Sequence, residues 1–239
     1  MNNMSPSRQR LVRLARKIPG LRSAWYLVLE LYEFVRRRRS DARHELEALF
    51  QAQPDPWDYA SSPKEQRRLQ WELQTIAALC GPARIPRALE IGCAEGHFTT
   101  MLADRCESLT CFDFSTTALA RAQQRRHWPD SVRFAHFDLY QDSIPGTFDL
   151  IVIICVIDYI ENPLATMKIR AALVEALAPG GILLVGNSLC NDVMDKAWWG
   201  RVLIRGGYSI ARYFAGHPRL ELLQECELDD HLDSVFRKR

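Results

Sequence analysis

From Ala88 to the end of the chain, short apolar runs alternate with stretches of helical spacing. The runs at 88–91, 108–112, 132–136, 150–155, 182–186, 220–226 and 232–236 are rich in Leu, Ile, Val and Phe and predict seven strands. Helical segments separate the first five, as at 115–126 and 163–177. Strands joined through helices lie parallel, with right-handed crossovers. Only 227–231 separates the last two runs, which predicts an antiparallel hairpin. The expected fold class is α/β, a doubly wound, seven-stranded, mostly parallel sheet with a terminal antiparallel hairpin.

Before residue 88 the period is helical. Leu11, Leu14, Ala15 and Ile18 share a face that ends at Pro19-Gly20, and further helices are predicted at 22–39 and 41–51. Gln53-Pro54-Asp55-Pro56 reads as a linker. Ser62-Pro63 then predicts a helix start, with Ser62 as N-cap and Glu65 closing a capping box, in a helix running to Leu79. The expected division is a helical extension over 1–52 and an α/β domain over 53–239.

Charge sharpens that division. The net charge is +2, but residues 1–40 hold ten basic side chains against Glu30 and Glu33. The extension is thus +8 and the remainder −6. A basic arm on an acidic body calls for a partner of its own: an anionic membrane, a nucleic acid or an acidic protein face. Trp25, Tyr26, Leu29, Tyr32 and Phe34, beside Arg36 to Arg39, suit a peripheral contact at the inner membrane. The alternative is that this stripe packs on the domain or on a second subunit. The seven cysteines are odd in number and lack C-x-x-C spacing. They predict neither a disulfide framework nor a zinc site, and they fit a reducing cytoplasm. No export signal is visible, and the apolar stretch 24–35 falls short of the ~20 residues of a membrane span.

The strongest chemical signal is Glu90-Ile91-Gly92-Cys93-Ala94-Glu95-Gly96-His97, a strand running into a tight turn and a helix. Gly92 and Gly96 clear side chains where a ligand approaches the backbone. The middle glycine of a dinucleotide loop is replaced, and Glu95 would repel a pyrophosphate. Glu90 suits a cationic ligand, and adenosylmethionine offers an ammonium and a sulfonium. A purely structural strand-to-helix turn is the alternative. Asp113 ends the next strand, 23 residues after Glu90, where a carboxylate accepts both ribose hydroxyls. Its alternative role is to cap the helix that follows. Asp138, with Leu139, follows the third strand and is placed to meet an adenine amino group. An ordinary turn explains it equally.

Residues 88–187 resemble the class I S-adenosylmethionine-dependent methyltransferases, a Rossmann-like family. The resemblance is carried by Glu90-x-Gly92-x-x-x-Gly96, Asp113, Asp138, Phe148-Asp149-Leu150-Ile151 and Leu177-Ala178-Pro179-Gly180-Gly181. Within that family, Asp55-Pro56-Trp57, Ser62-Pro63, Glu65-x-x-Arg68 and Ala88-Leu89-Glu90 are similar to the nodulation-type N-methyltransferases, which methylate an amino sugar in a chitooligosaccharide. The resemblance implies S-adenosyl-L-methionine as cofactor and S-adenosyl-L-homocysteine as product. It places Trp57 and Arg68 over that cofactor, Arg68 on its carboxylate, and Gly92, Cys93, Ala94, Gly96, Phe114 and Cys155 around it. A surface pairing of Arg68 with Glu65 is the alternative. Two departures stand out. Ala94 replaces a glycine common in the family loop, and Cys155 stands where relatives often carry an acid.

Methyl transfer from a sulfonium needs alignment and water exclusion more than strong catalysts. Asp158, Tyr159 and His97 are the candidate catalytic groups near the sulfonium. Asp158 and Tyr159 follow the fourth strand at the sheet edge where ligands bind. His97 opens a helix whose positive end keeps it neutral. Helix capping, packing and internal hydrogen bonding are their respective alternatives. The region 187–213, with Trp198, Trp199, Tyr208 and Tyr213, is the expected substrate cap.

The leading reading is a methyltransferase acting on a small molecule or glycan. A nucleic-acid methyltransferase using the basic arm is a second, though no Asn-Pro-Pro-Tyr or Asp-Pro-Pro-Tyr follows the fourth strand. A non-catalytic cofactor-binding regulator is a third, and a NAD-dependent oxidoreductase a distant fourth.

Overall fold

A computed structural model describes residues 42–160, 162–189 and 206–239. The chain divides into two compact units, Met1–Asp41 and Ala42–Arg239, and the described residues belong to the second. The readings placed on 1–40 and on Trp198 and Trp199 lie outside the described residues.

The second unit opens with helices α1 (Ala42–Ala52) and α2 (Pro63–Cys80). There follow β1 (Ala88–Ile91), α3 (His97–Leu102), β2 (Leu109–Asp113), α4 (Thr116–Gln124), β3 (Val132–His136) and β4 (Phe148–Ile154). Then come α5 (Pro163–Ala176), β5 (Leu177–Ser188), α6 (Gly207–Ala215), β6 (Leu220–Leu228) and β7 (His231–Lys238). The strands form one sheet in the order β3-β2-β1-β4-β5-β7-β6. β1 to β5 run parallel, and β7 is antiparallel to both β5 and β6. The expected layout, including the hairpin, is present. The order reverses between β1 and β4, which opens a crevice at the carboxyl edge of those strands.

Alternation along each strand sends side chains to two cores. Leu89, Ile91, Ile151, Ile153, Leu183 and Val185 pack with Ile169 and Leu173 of α5 and Phe214 of α6. Ala88, Leu150, Val152, Ile182 and Leu184 pack with Leu69 and Ile76 of α2 and with Phe98 and Leu119. Strands buried on both faces read as continuous apolar runs, which is why they were visible in the sequence. The helix α1, which the sequence reading placed in the extension, packs on α4. Phe50 is buried, and Glu47 accepts a hydrogen bond from the Thr117 hydroxyl at 2.6 Å.

Two local expectations change. Ser62 does cap α2, accepting from the Glu65 N–H, but the capping box is half-formed. The Ser62 N–H goes to the Asp58 carbonyl, and the Glu65 carboxylate goes to Arg68 instead. The stretch 177–181, read as a turn before the fifth strand, is part of β5. Leu177 pairs with Phe148, and pairing resumes at Ile182 with Leu150 after a register shift. Gly180 absorbs that shift at φ +75°.

Candidate functional site

The site begins with the turn after β1. Gly92 has φ +80°, and a Cβ there would lie 2.2 Å from the Val156 side chain. Gly96 also has φ +80°, and a Cβ there would press on Ala122 of α4 at 3.3 Å. Between them Ala94 holds φ +46°, left-handed backbone in a residue with a Cβ. The carboxylate of Asp113, at the end of β2, keeps it there. One oxygen accepts the Ala94 N–H and the other the Ser115 N–H, both at 2.8 Å. The cap of α4 is Ser115, whose hydroxyl accepts the Ala118 N–H, so Asp113 is not the helix cap. Burial pushes its carboxyl up to about 6 against those N–H bonds.

A cavity of about 360 Å³ lies over this turn at the carboxyl edge of the sheet, within the roughly 300–1,000 Å³ usual for small-molecule sites. One half is framed by Gly92, Ala94, Asp113, Phe114, Asp138, Leu139 and Tyr140. The other half is framed by Tyr59, Lys64, Glu65, Cys155, Tyr159, Ser188, Asp230 and His231. Trp57 and Phe50 also line it, their rings 5.3 Å apart edge to face. A smaller adjoining recess is lined by Arg68, Glu90, Gly92, Cys93, Ala94 and His97. The structure thus brings to these walls all the cofactor-binding and catalytic candidates named from the sequence except Gly96 and Asp158.

Several of them differ from expectation in their surroundings. Arg68 is not a surface residue; it is 2% exposed. Its guanidinium bonds Glu65 at 2.9 and 3.2 Å and pairs with Glu72, with Tyr59 stacked at 5.7 Å. Glu90 is buried and accepts the Thr99 hydroxyl at 2.7 Å. Burial pushes its carboxyl up to about 7 despite that bond. His97 is held below the ordinary imidazole value first by burial and then by the Arg125 guanidinium, which contacts its Nε2 at 2.7 Å. Burial and Arg125 thus both favour the neutral ring expected there. Asp158 accepts the Ser188 N–H at 2.7 Å and ties the end of β4 to the end of β5. Asn162, not Asp158, caps α5. Glu95, read as a barrier to pyrophosphate, is buried against Arg121 at 2.7 Å and holds the Asp55 N–H at 3.1 Å. That bond fastens the linker onto the glycine turn and brings Trp57 and Tyr59 across it.

The expected substrate cap is corrected for its two described aromatics. Tyr208 hydrogen-bonds Glu227, and Tyr213 lies under Arg170 at 3.6 Å and meets Phe214 edge to face. Neither lines the cavity, because α6 lies on the face of the sheet that carries α5. Residues missed from the sequence fill other walls. Arg43 of α1 pairs with Asp138, whose carboxylate also accepts the Tyr140 N–H at 2.9 Å. Lys64, Asp230 and His231 close the far end. The predicted hairpin was a signal for His231, because the first residue of the returning strand must lie at the carboxyl edge.

With this geometry in place, comparison with known proteins is decisive. The family model for nodulation protein S (NodS) matches residues 39–208. The chain belongs to the nodulation protein S family. Nodulation protein S of Rhizobium tropici is 36% identical over 148 residues, 62% of this chain and 60% of that one. The Sinorhizobium fredii protein is 36% identical over 147 residues, 62% and 66% of the two chains. The matched region thus spans just under two thirds of those relatives. The crystal structure of N-methyltransferase NodS from Bradyrhizobium japonicum WM9 with S-adenosyl-L-homocysteine superposes with a TM-score of 0.70 at 30% identity. It covers 83% of this chain and 99% of that one.

Left-handed backbone costs an L-residue roughly 1–2 kcal/mol, and glycine gives back about 0.5–1 kcal/mol in entropy. Ala94→Gly should therefore stabilise by about 0.5–1 kcal/mol, read as a rise of about 1–4 °C in Tm; a lower Tm refutes the strain at Ala94. Glu90 concerns pH. Its folded-state carboxyl is raised, so the fold favours the protonated form. That contribution is complete below about 4.5 and is lost as pH rises to about 7. Denaturant unfolding of Glu90→Gln should lose part of the wild-type decline across this window. Parallel pH curves for the two proteins would show that Glu90 does not hold its proton.

Proposed function

We propose that this chain is an S-adenosyl-L-methionine-dependent methyltransferase that transfers to the nitrogen of an amino sugar in a chitooligosaccharide-type acceptor. The observation that carries the reading is the Asp113 carboxylate. One oxygen holds the glycine turn through the Ala94 N–H, the other holds the Ser115 N–H at the entry to α4, and the carboxylate still lines the cavity. The residues fit the cofactor: an acid for its ribose, an apolar wall of Phe114 and Leu139 with Asp138 for its base, and a recess holding Arg68 and Glu90 for its amino-acid end. When bound, it supplies a methyl group already activated by a positively charged sulfur. The chain then has to align an amine and exclude water, and alignment alone is worth ~7–11 kcal/mol. Trp57 and Tyr59 close the turn from above, and Tyr59, Cys155 and Tyr159 line the cavity towards its far half. Family membership supports the acceptor class, and neither the nucleic-acid nor the regulator reading gains support from it. For the basic arm, the charge of +8 supports a peripheral contact with an anionic surface. Among the described residues no helix is long and apolar enough to cross a membrane.

S-adenosyl-L-homocysteine should raise the melting temperature, by ~2.7 kcal/mol of stabilisation at 100 times its Kd. Asp113→Ala should weaken that binding by at least about tenfold, since hydrogen bonds to a charged group are worth ~1.5–3 kcal/mol. With labelled methyl donor, a chitooligosaccharide bearing a free terminal amine should be methylated and its fully N-acetylated counterpart should not. Equal labelling of both, or labelling of RNA instead, refutes the acceptor.

A further inference from the structure

His231 opens β7 and lines the far half of the cavity. Because β7 runs antiparallel to β5, its first residue pairs with the last of β5, Ser188. β5 in turn lies beside β4, after which Cys155 and Tyr159 reach the cavity wall. His231 is therefore two strand spacings from β4, about 10 Å, on the side away from Asp113 and Asp138. A substrate that meets the methyl donor over β4 and extends towards the hairpin comes to this imidazole.

The ring's surroundings suit a base. It is 7% exposed, and its Nδ1 lies 2.9 Å from an Asp230 carboxylate oxygen, without the alignment of a hydrogen bond. Lys64 holds the same carboxylate from the start of α2. Burial, and then the Arg68 charge, keep the imidazole below its ordinary value, against Glu65 and Asp230. It is neutral at neutral pH, with a carboxylate beside it where positive charge would develop.

Resting on the amine-acceptor reading, we propose that His231 takes the proton from the acceptor amine and that Asp230 is a positioning residue for the imidazolium that forms. The acceptor ammonium gives one N–H proton to the imidazole and becomes a neutral amine. The amine lone pair then forms the bond to the methyl carbon, as the carbon–sulfur bond breaks and its electron pair stays on sulfur. The product leaves as a secondary ammonium, and His231 returns its proton to solvent.

The test uses the full chain and the chitooligosaccharide with a free terminal amine. General-base catalysis is worth roughly 10²–10⁴-fold. His231→Gln should lower kcat/KM by at least about 100-fold with S-adenosyl-L-homocysteine affinity unchanged, and added imidazole should restore part of the rate to His231→Gly. Asp230→Asn should shift the acidic limb of the pH profile to lower pH, because losing that carboxylate disfavours the imidazolium; Lys64, Glu65 and Arg68 face the ring as before. A His231→Gln rate within threefold of wild type overturns the proposal. So does a loss that tracks lost cofactor affinity and that imidazole does not restore. If the wild-type chain transfers no methyl to this amine, the amino-sugar reading fails instead. Calorimetry of the amine on the S-adenosyl-L-homocysteine complex then decides. Proton linkage that His231→Gln abolishes supports the role, and equal or absent linkage overturns it.

Discussion

The site depends on one carboxylate that joins two parts of the sheet. Asp113 ends β2, yet it takes its hydrogen bonds from the turn after β1 and from the entry to α4. Those N–H groups cannot pair within either helix or strand, and leaving them buried without partners would cost about 1–3 kcal/mol each. The bond to the Ala94 N–H holds that residue in left-handed backbone, and Ala94 and Asp113 together line the floor of the cavity. Glu95 extends the arrangement outward, fastening the linker that carries Trp57 and Tyr59. Loop shape, cavity floor and aromatic wall are thus consequences of two acids, each bonded to a backbone N–H of another segment.

Behind the wall lies a charge arrangement of a different kind. Arg68 is a buried cation among Glu65, Glu72 and Asp233, and the last two have no exposed surface. Neither oxygen of Asp233 has a hydrogen-bond partner. One positive charge cannot offset three negative ones in a medium of low dielectric. Burial therefore pushes Glu72 up and Asp233 up to about 7 despite Arg68, so that a proton stays in the cluster. The fold makes room for it: Asp233 faces Gly186 across the β5–β7 ladder, where a Cβ would lie 2.3 Å from its carboxylate. A guanidinium held this way is fixed in place before any ligand arrives, so its orientation costs nothing further on binding.

What the sequence made legible follows from the range of each signal. Strands buried on both faces declare themselves as apolar runs, and β1 and β3 have the bounds expected of them. The glycine turn, Asp113 and Asp138 were legible because each stands at a fixed offset from a strand end. β5 was misjudged because Pro179-Gly180 is a turn signal, while the ladder tolerates it as an irregularity. The burial of Arg68 was hidden for a related reason: Glu and Arg three residues apart look the same on a solvated helix as under a sheet edge. Arg43 and Lys64 reach the cavity from helices whose placement is a tertiary fact. Asp158 is instructive because its local sequence suits a helix cap. Its real partner, the Ser188 N–H, lies thirty residues on and is adjacent only through β4–β5 pairing.

The antiparallel end of the sheet gives the cavity its second half. A sixth parallel strand in the place of β7 would enter at the opposite edge and present only its last residue to the ligand side. Reversing β7 returns its first residues to the edge where β1, β2 and β4 end, so the β6–β7 turn meets the start of α2 through Lys64 and Asp230. The cavity is thereby bounded by acids on strand ends in one half and by a mixed cluster of Lys64, Glu65, Asp230 and His231 in the other. The first set is suited to holding hydroxyls and amines of a bound nucleoside. The second contains groups that can exchange a proton with a ligand. Tyr59 lines both this cavity and the adjoining recess that holds Arg68, so its ring joins the two.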